Sequence, residues 1–164
     1  MKLRKDRDEE SIVNRTALTR RTLLRLGTAA AALAALPMRL WAEVTRPQPA
    51  FDAATLEEVF SALGTVPEDS DAIVLETPDI AENGAVVPVS VSSSIPGTER
   101  FYVMVEKNPN PLAAMFMLPE GAEPFVQARV KMAQTSSIYG VVYANGKYYK
   151  TARETKVTLG GCGG

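Results

Sequence analysis

The chain has 164 residues, 46% of them apolar and 23% charged, with 18 Lys and Arg against 19 Asp and Glu. This leaves room for one domain of ordinary size, and the composition excludes both wholesale disorder and a membrane-embedded body. There is no histidine and only one cysteine, which removes Ser-His-Asp and Cys-His nucleophile pairs and most transition-metal sites; no metal, cofactor or independent catalytic centre is expected.

Charge is spread unevenly along the chain. Residues 1–42 hold 9 of the 18 basic and 4 of the 19 acidic residues, so 9 basic and 15 acidic residues, net −6, remain from Glu43 onward. An acidic body gains little from counterion release on a phosphate backbone, and nucleic-acid binding is not expected. The basic leader contains "TRRTLLR" (Thr19 to Arg25), then the run "LGTAAAALAAL", Pro37 and a small-residue exit at Ala42. The Arg20-Arg21 pair, the apolar residues behind it and a run too short to span a bilayer resemble a twin-arginine export signal. Residues 1–42 are therefore assigned to the signal, 43–159 to the folded domain and 160–164 to a terminal arm, with the periplasm as destination. Because that route carries folded cargo, a partner subunit without its own signal is expected to travel with the chain.

After the leader, "FDAATLEEVFSALG" places Phe51, Leu56, Val59, Phe60 and Leu63 near one helical face, with Asp52 as N-cap and Gly64 as the stop. The period then changes. Seven runs rich in Val, Ile, Tyr and Phe follow at roughly ten-residue spacing, punctuated by Pro, Pro-Gly and Asn-Gly. Val87, Val89 and Val91 alternate with Pro88, Ser90 and Ser92, while Val126, Ala128, Val130 and Met132 alternate with Gln127, Arg129 and Lys131; each pattern predicts one buried and one wet face. Asn145-Gly146 predicts a type I′ hairpin between a strand at Val141 to Tyr143 and one at Tyr148 to Lys150. The expected fold is mainly β: an immunoglobulin-like antiparallel β-sandwich with a short N-terminal helix and a flexible C-terminal arm. Periodicity leaves the strand order open.

Two stretches stand apart from this pattern. In "NPNPLAAMFMLPEG" (Asn108 to Gly121), Pro109 and Pro111 hold the preceding asparagines extended and remove two backbone donors, which predicts an edge strand or a crossing between sheets. Met115, Phe116 and Met117 are consecutive and cannot all enter one core; either a second layer covers them or one faces a partner subunit. The chain then ends on "VTLGGCGG", with Cys162 between Gly160-Gly161 and Gly163-Gly164. If the last strand stops near Leu159, the thiol stands roughly 10 Å beyond the sheet, at 3.3–3.6 Å per extended residue. No neighbouring side chain crowds it, so the tip is narrow enough to enter another protein's channel. An unpaired cysteine in an exported protein is a thiol meant to react, yet at an ordinary pKa near 8.5 only about 3% is thiolate at pH 7. Activation must come from whatever receives the arm, so Cys162 is read as a carrier site rather than a catalyst.

Two other readings stay open at this point. An exported binding module could be tethered to a partner through a Cys162 disulfide. A ubiquitin-like carrier could be activated at the Gly164 carboxylate, but that chemistry needs cytoplasmic adenylation and sits badly with an export signal.

"KVTLGGCGG" (Lys156 to Gly164), "NPNPLAAMF" (Asn108 to Phe116), "ARVKMAQTS" and "YANGKYY" together resemble the SoxY family, the sulfur carriers of the bacterial thiosulfate-oxidising Sox system. The terminal motif is the specific part of the match, and the long charged run before Arg20 departs from the pattern. The resemblance implies that thiosulfate is joined oxidatively to Cys162 by heme-containing SoxAX, and that dimanganese SoxB hydrolyses sulfate away while the other sulfur stays attached. The sulfane dehydrogenase SoxCD then oxidises that sulfur, or it passes to storage. It also implies that Gly160, Gly161, Gly163 and Gly164 form the arm, and that a SoxZ-like sandwich without its own signal is the heterodimer partner.

Overall fold

A computed structural model describes residues 46–160. The export-signal residues Arg20 and Arg21 and the tip from Gly161 to Gly164 lie outside that range.

Two short helices open the described chain, where the sequence predicts one. α1 covers Gln48–Asp52 and α2 covers Leu56–Ala62. The helix breaks because Thr55 takes the N-cap: its hydroxyl accepts from the Glu58 amide at 3.2 Å, and the Glu58 carboxylate accepts from the Ala54 amide at 2.8 Å. This reciprocal arrangement starts a new helix at Leu56. Asp52, expected as an N-cap, instead ends α1 and accepts from the Gln48 side chain at 2.8 Å. Gly64 is the stop the sequence predicts, with φ +69°, a conformation that closes helices at little cost only for glycine.

Nine strands follow: β1 (Glu68–Asp69), β2 (Ile73–Glu76), β3 (Ile80–Asn83), β4 (Val87–Ser93), β5 (Thr98–Val105), β6 (Leu112–Met117), β7 (Phe125–Val130), β8 (Ser136–Ala144) and β9 (Lys147–Leu159). The larger sheet runs β1-β9-β8-β5-β6, with β3 also paired to β9, and the smaller runs β2-β4-β7. They pack as an open sandwich. The expected antiparallel pairing holds along β9-β8-β5-β6 and along β2-β4-β7, but β1 and β3 lie parallel to β9. "DAIVLETPDIA" reads as one run, but it divides at Thr77-Pro78 and sends β2 to the small sheet and β3 to the large one. Thr77 is buried at the crossing, where its hydroxyl meets that of Thr155 at 2.9 Å.

The large sheet is covered on both faces. Phe101, Val103 and Val105 of β5 enter the core between the sheets with Val87, Val89, Val91 and Ile138, whereas Tyr102 and Met104 enter a second cluster beneath the helices with Val59, Leu112 and Val141. This explains why β5 reads as an unbroken apolar run while β4 alternates: one strand has two dry faces, the other has one. The same geometry resolves the Met115-Phe116-Met117 question. Phe116 packs on the inter-sheet core, Met115 on the helix side, and Met117 is 46% exposed at the edge strand β6.

Candidate functional site

β9 leads to the predicted arm, and the last strand ends at Leu159 as the sequence predicts. Its 13 residues outrun β8, whose last pair with it is Ser136↔Thr155. Beyond Thr155 the free strand passes between two new neighbours. β3 pairs with one edge, through Ile80↔Lys156, Ala81↔Val157 and Asn83↔Leu159. On the other side stands the connection from β7 to β8: the Thr135 hydroxyl accepts from the Val157 amide at 2.9 Å. The Thr158 hydroxyl adds a bond to the Glu82 carbonyl at 2.8 Å.

Gly84 ties these neighbours together. Its N–H donates to the Leu159 carbonyl and its own carbonyl accepts from Met132 N–H, each at 2.7 Å. Past its last pair with β8, the strand is thus held by β3 and by backbone groups that would otherwise be left unpaired.

Gly160 is the one predicted arm residue within the described range, and it is exposed. Its backbone is not in the left-handed region that favours glycine. Space explains its identity: a Cβ there would collide with the Ala133 carbonyl oxygen. The Ala133 segment is in turn gripped by Asn108, whose amide nitrogen donates to the Lys131 carbonyl at 2.7 Å and whose amide oxygen accepts from Ala133 N–H at 2.9 Å. Asn110 reaches the other way and donates to the Asp52 and Ala53 carbonyls at the end of α1, at 3.3 Å each. The two asparagines of the NPNP stretch therefore brace different parts of the molecule. Sequence reasoning marked that stretch through its prolines and passed over its amides; the signal was present, because an extended Asn before Pro has its side chain free for distant backbone partners.

The opposite end of β9 is built from other materials. Asn145 and Gly146 have φ of +52° and +79°, the expected type I′ hairpin. Tyr143 and Tyr148 sit with ring centroids 4.8 Å apart, Tyr102 lies 5.9 Å from Tyr148, and the Arg100 guanidinium is 4.3 Å from the Tyr143 centroid. Burial, with the Tyr102 contact adding to it, pushes the Tyr148 phenol up to about 12.

Among the described residues no helix is long and apolar enough to cross a membrane, and no group of three His, Cys, Asp or Glu is placed to hold a metal ion.

The family model for the sulfur oxidation protein SoxY matches residues 57–162, a range that closes on Cys162 itself. Among solved structures, the sulfur carrier protein SoxY from Chlorobium limicola f thiosulfatophilum is 39% identical, with 66% of this chain and 96% of that chain covered and a TM-score of 0.59. A superoxide reductase (neelaredoxin) from Ignicoccus hospitalis is 18% identical over 52% of this chain and 80% of its own, with a TM-score of 0.47, too distant to bear on function. No curated protein sequence matches the chain. The match spans most of the folded domain, from the start of α2 to the terminal cysteine, and on this ground the chain belongs to the SoxY family of sulfur oxidation proteins.

Proposed function

We propose that this protein is a periplasmic carrier that holds thiosulfate-derived sulfur on Cys162 and presents it to the Sox oxidation enzymes. The observation that carries this reading is the family match ending on the lone thiol, two residues past the end of the described domain at Gly160. In the chemistry proposed, the Cys162 thiolate and thiosulfate are joined by a new sulfur–sulfur bond while two electrons leave to a heme partner. Water then cleaves the bond to the sulfonate, releasing sulfate and two protons and leaving a persulfide sulfur on Cys162. In this reading the partner enzymes supply the base and metal for both steps, and a sequence that lacks histidine offers no imidazole base of its own.

The partner in this reading is a SoxZ-like sandwich that shares the export route set by Arg20 and Arg21. β6 supports an edge-on contact with it. The strand "LAAMFM" is an outer strand without a charged residue or a proline, features that elsewhere blunt a free edge.

Mass measurement of the carboxy-terminal peptide, from protein purified out of cells growing on thiosulfate, tests the proposal. Sulfane or thiosulfonate adducts on Cys162 are expected. A reducible protein–protein disulfide as the sole modification would instead establish the tethered binding module, and an unmodified thiol would end the carrier reading.

A further inference from the structure

We infer that Gly160 belongs to the folded domain rather than to the predicted arm, and that Asn108 is a positioning residue that seats the strand end leading to Cys162. The inference rests on the reading of Cys162 as the attachment site, but its structural half stands on residues within the described domain. Three observations converge. Gly160 has no room for a Cβ against the Ala133 carbonyl. That carbonyl is fixed because the Asn108 side chain spans the Lys131 carbonyl and the Ala133 amide. The strand entering the seat is held on one edge by β3 and Gly84 and on the other by Thr135.

Taken together these make a collar around the last residues of β9. A strand end anchored on both edges cannot fray as an unpaired strand end does. The consequence is a shorter reach: measured from Gly160, two extended residues carry Cys162 at most roughly 7 Å, at 3.3–3.6 Å per residue. An enzyme acting on that sulfur must bring its channel mouth up to the collar, so a base that wanders would weaken encounter without altering the thiol.

The test compares full-length wild type with Asn108→Ala, Asn108→Asp, Gly160→Ala and Gly161→Ala. Hydrogen–deuterium exchange at Val157 to Gly160 is read alongside Cys162 alkylation by a small reagent and the KM and kcat of thiosulfate conjugation by the cognate heme enzyme. Asn108→Ala is expected to speed exchange there roughly ten- to hundredfold, as loss of both Asn108 hydrogen bonds implies. It should raise KM several-fold with kcat and alkylation unchanged. Asn108→Asp keeps the acceptor for Ala133 N–H and loses the donor to Lys131, so an intermediate exchange rate is expected, and this variant serves if the alanine form misfolds. Gly160→Ala should speed exchange while Gly161→Ala leaves it at the wild-type rate.

Unchanged exchange in the Asn108 variants, or equal tolerance at 160 and 161, overturns the inference. A wild-type protein that is never conjugated would refute the carrier reading instead, and the exchange data would still decide the seat.

Discussion

At Lys147 β9 begins after a two-residue turn held at positive φ and flanked by tyrosines in tilted contact; at Leu159 it ends between backbone partners, with its last side chain 71% exposed. The first end gathers side-chain burial and aromatic contact, which stabilise. The second is fixed mainly by hydrogen bonds to main-chain groups and to the Thr135 hydroxyl, which set direction, with Val157 packed against the inter-sheet core. One strand thus serves both as a structural member and as a mount, and the difference lies in which kind of interaction holds each end. If that division is right, the two ends respond separately to mutation.

The largest expected effect is functional. Cys162→Ala should abolish thiosulfate-dependent sulfur loading altogether while shifting stability by no more than about 0.5 kcal/mol, because no described core contact is lost. Adduct mass and the thermal midpoint check both halves; a clear drop in midpoint would mean that the thiol packs against the fold. Next comes Phe101→Ala, at a fully buried position in the inter-sheet core. A loss of about 3–5 kcal/mol in denaturant unfolding is expected, typical of emptying such a site, and it should loosen both ends of β9 together.

Gly146→Ala sharpens the comparison further. Forcing a side chain into φ +79° costs roughly 1–2 kcal/mol. Amide exchange at Val157 to Gly160 should stay at the wild-type rate, and a faster rate there would break the independence of the ends.

The smallest effect is confined to alkaline solution. The folded Tyr148 phenol is held up to about 12, whereas an unfolded tyrosine titrates near 10. The fold therefore keeps its proton more tightly than the unfolded chain does. The associated stability is complete below pH about 10 and drains away as pH rises toward 12. Tyr148→Phe should flatten that decline, seen as a smaller alkaline shift in the denaturation midpoint; an unaltered slope would place the titration elsewhere in the tyrosine cluster.

Local patterns were read well where one local rule governs. The Asn145-Gly146 hairpin, the Gly64 stop, the inward valines of β4 and the last strand's end near Leu159 all follow from short-range sterics or from alternation against a single core. Reading failed where two rules competed. Asp52 and Thr55 are both acceptable N-caps, and Thr55 prevails because its hydroxyl accepts from the Glu58 amide while the Glu58 carboxylate accepts from the Ala54 amide. The place of Met115 and Phe116, left open between a second layer and a partner subunit, is decided by the helix layer, which supplies a second core.

The candidate site divides in the same way. Cys162 among four glycines is visible without any coordinates, because its singularity is a property of composition. The collar around Gly160 is not visible, because Asn108, Ala133, Gly84 and Thr135 are brought to it from distant positions by strand pairing.

The sequence alone determined that this is a β-rich domain followed by a lone cysteine among glycines, since turn sterics, alternation and residue counts act within a few positions. Tertiary structure alone decided which strands flank β9, why Gly160 can carry no side chain and what an amide between two prolines holds. Around the far end of β9 those are contacts between residues 22 to 76 positions apart, and no period in the chain encodes them.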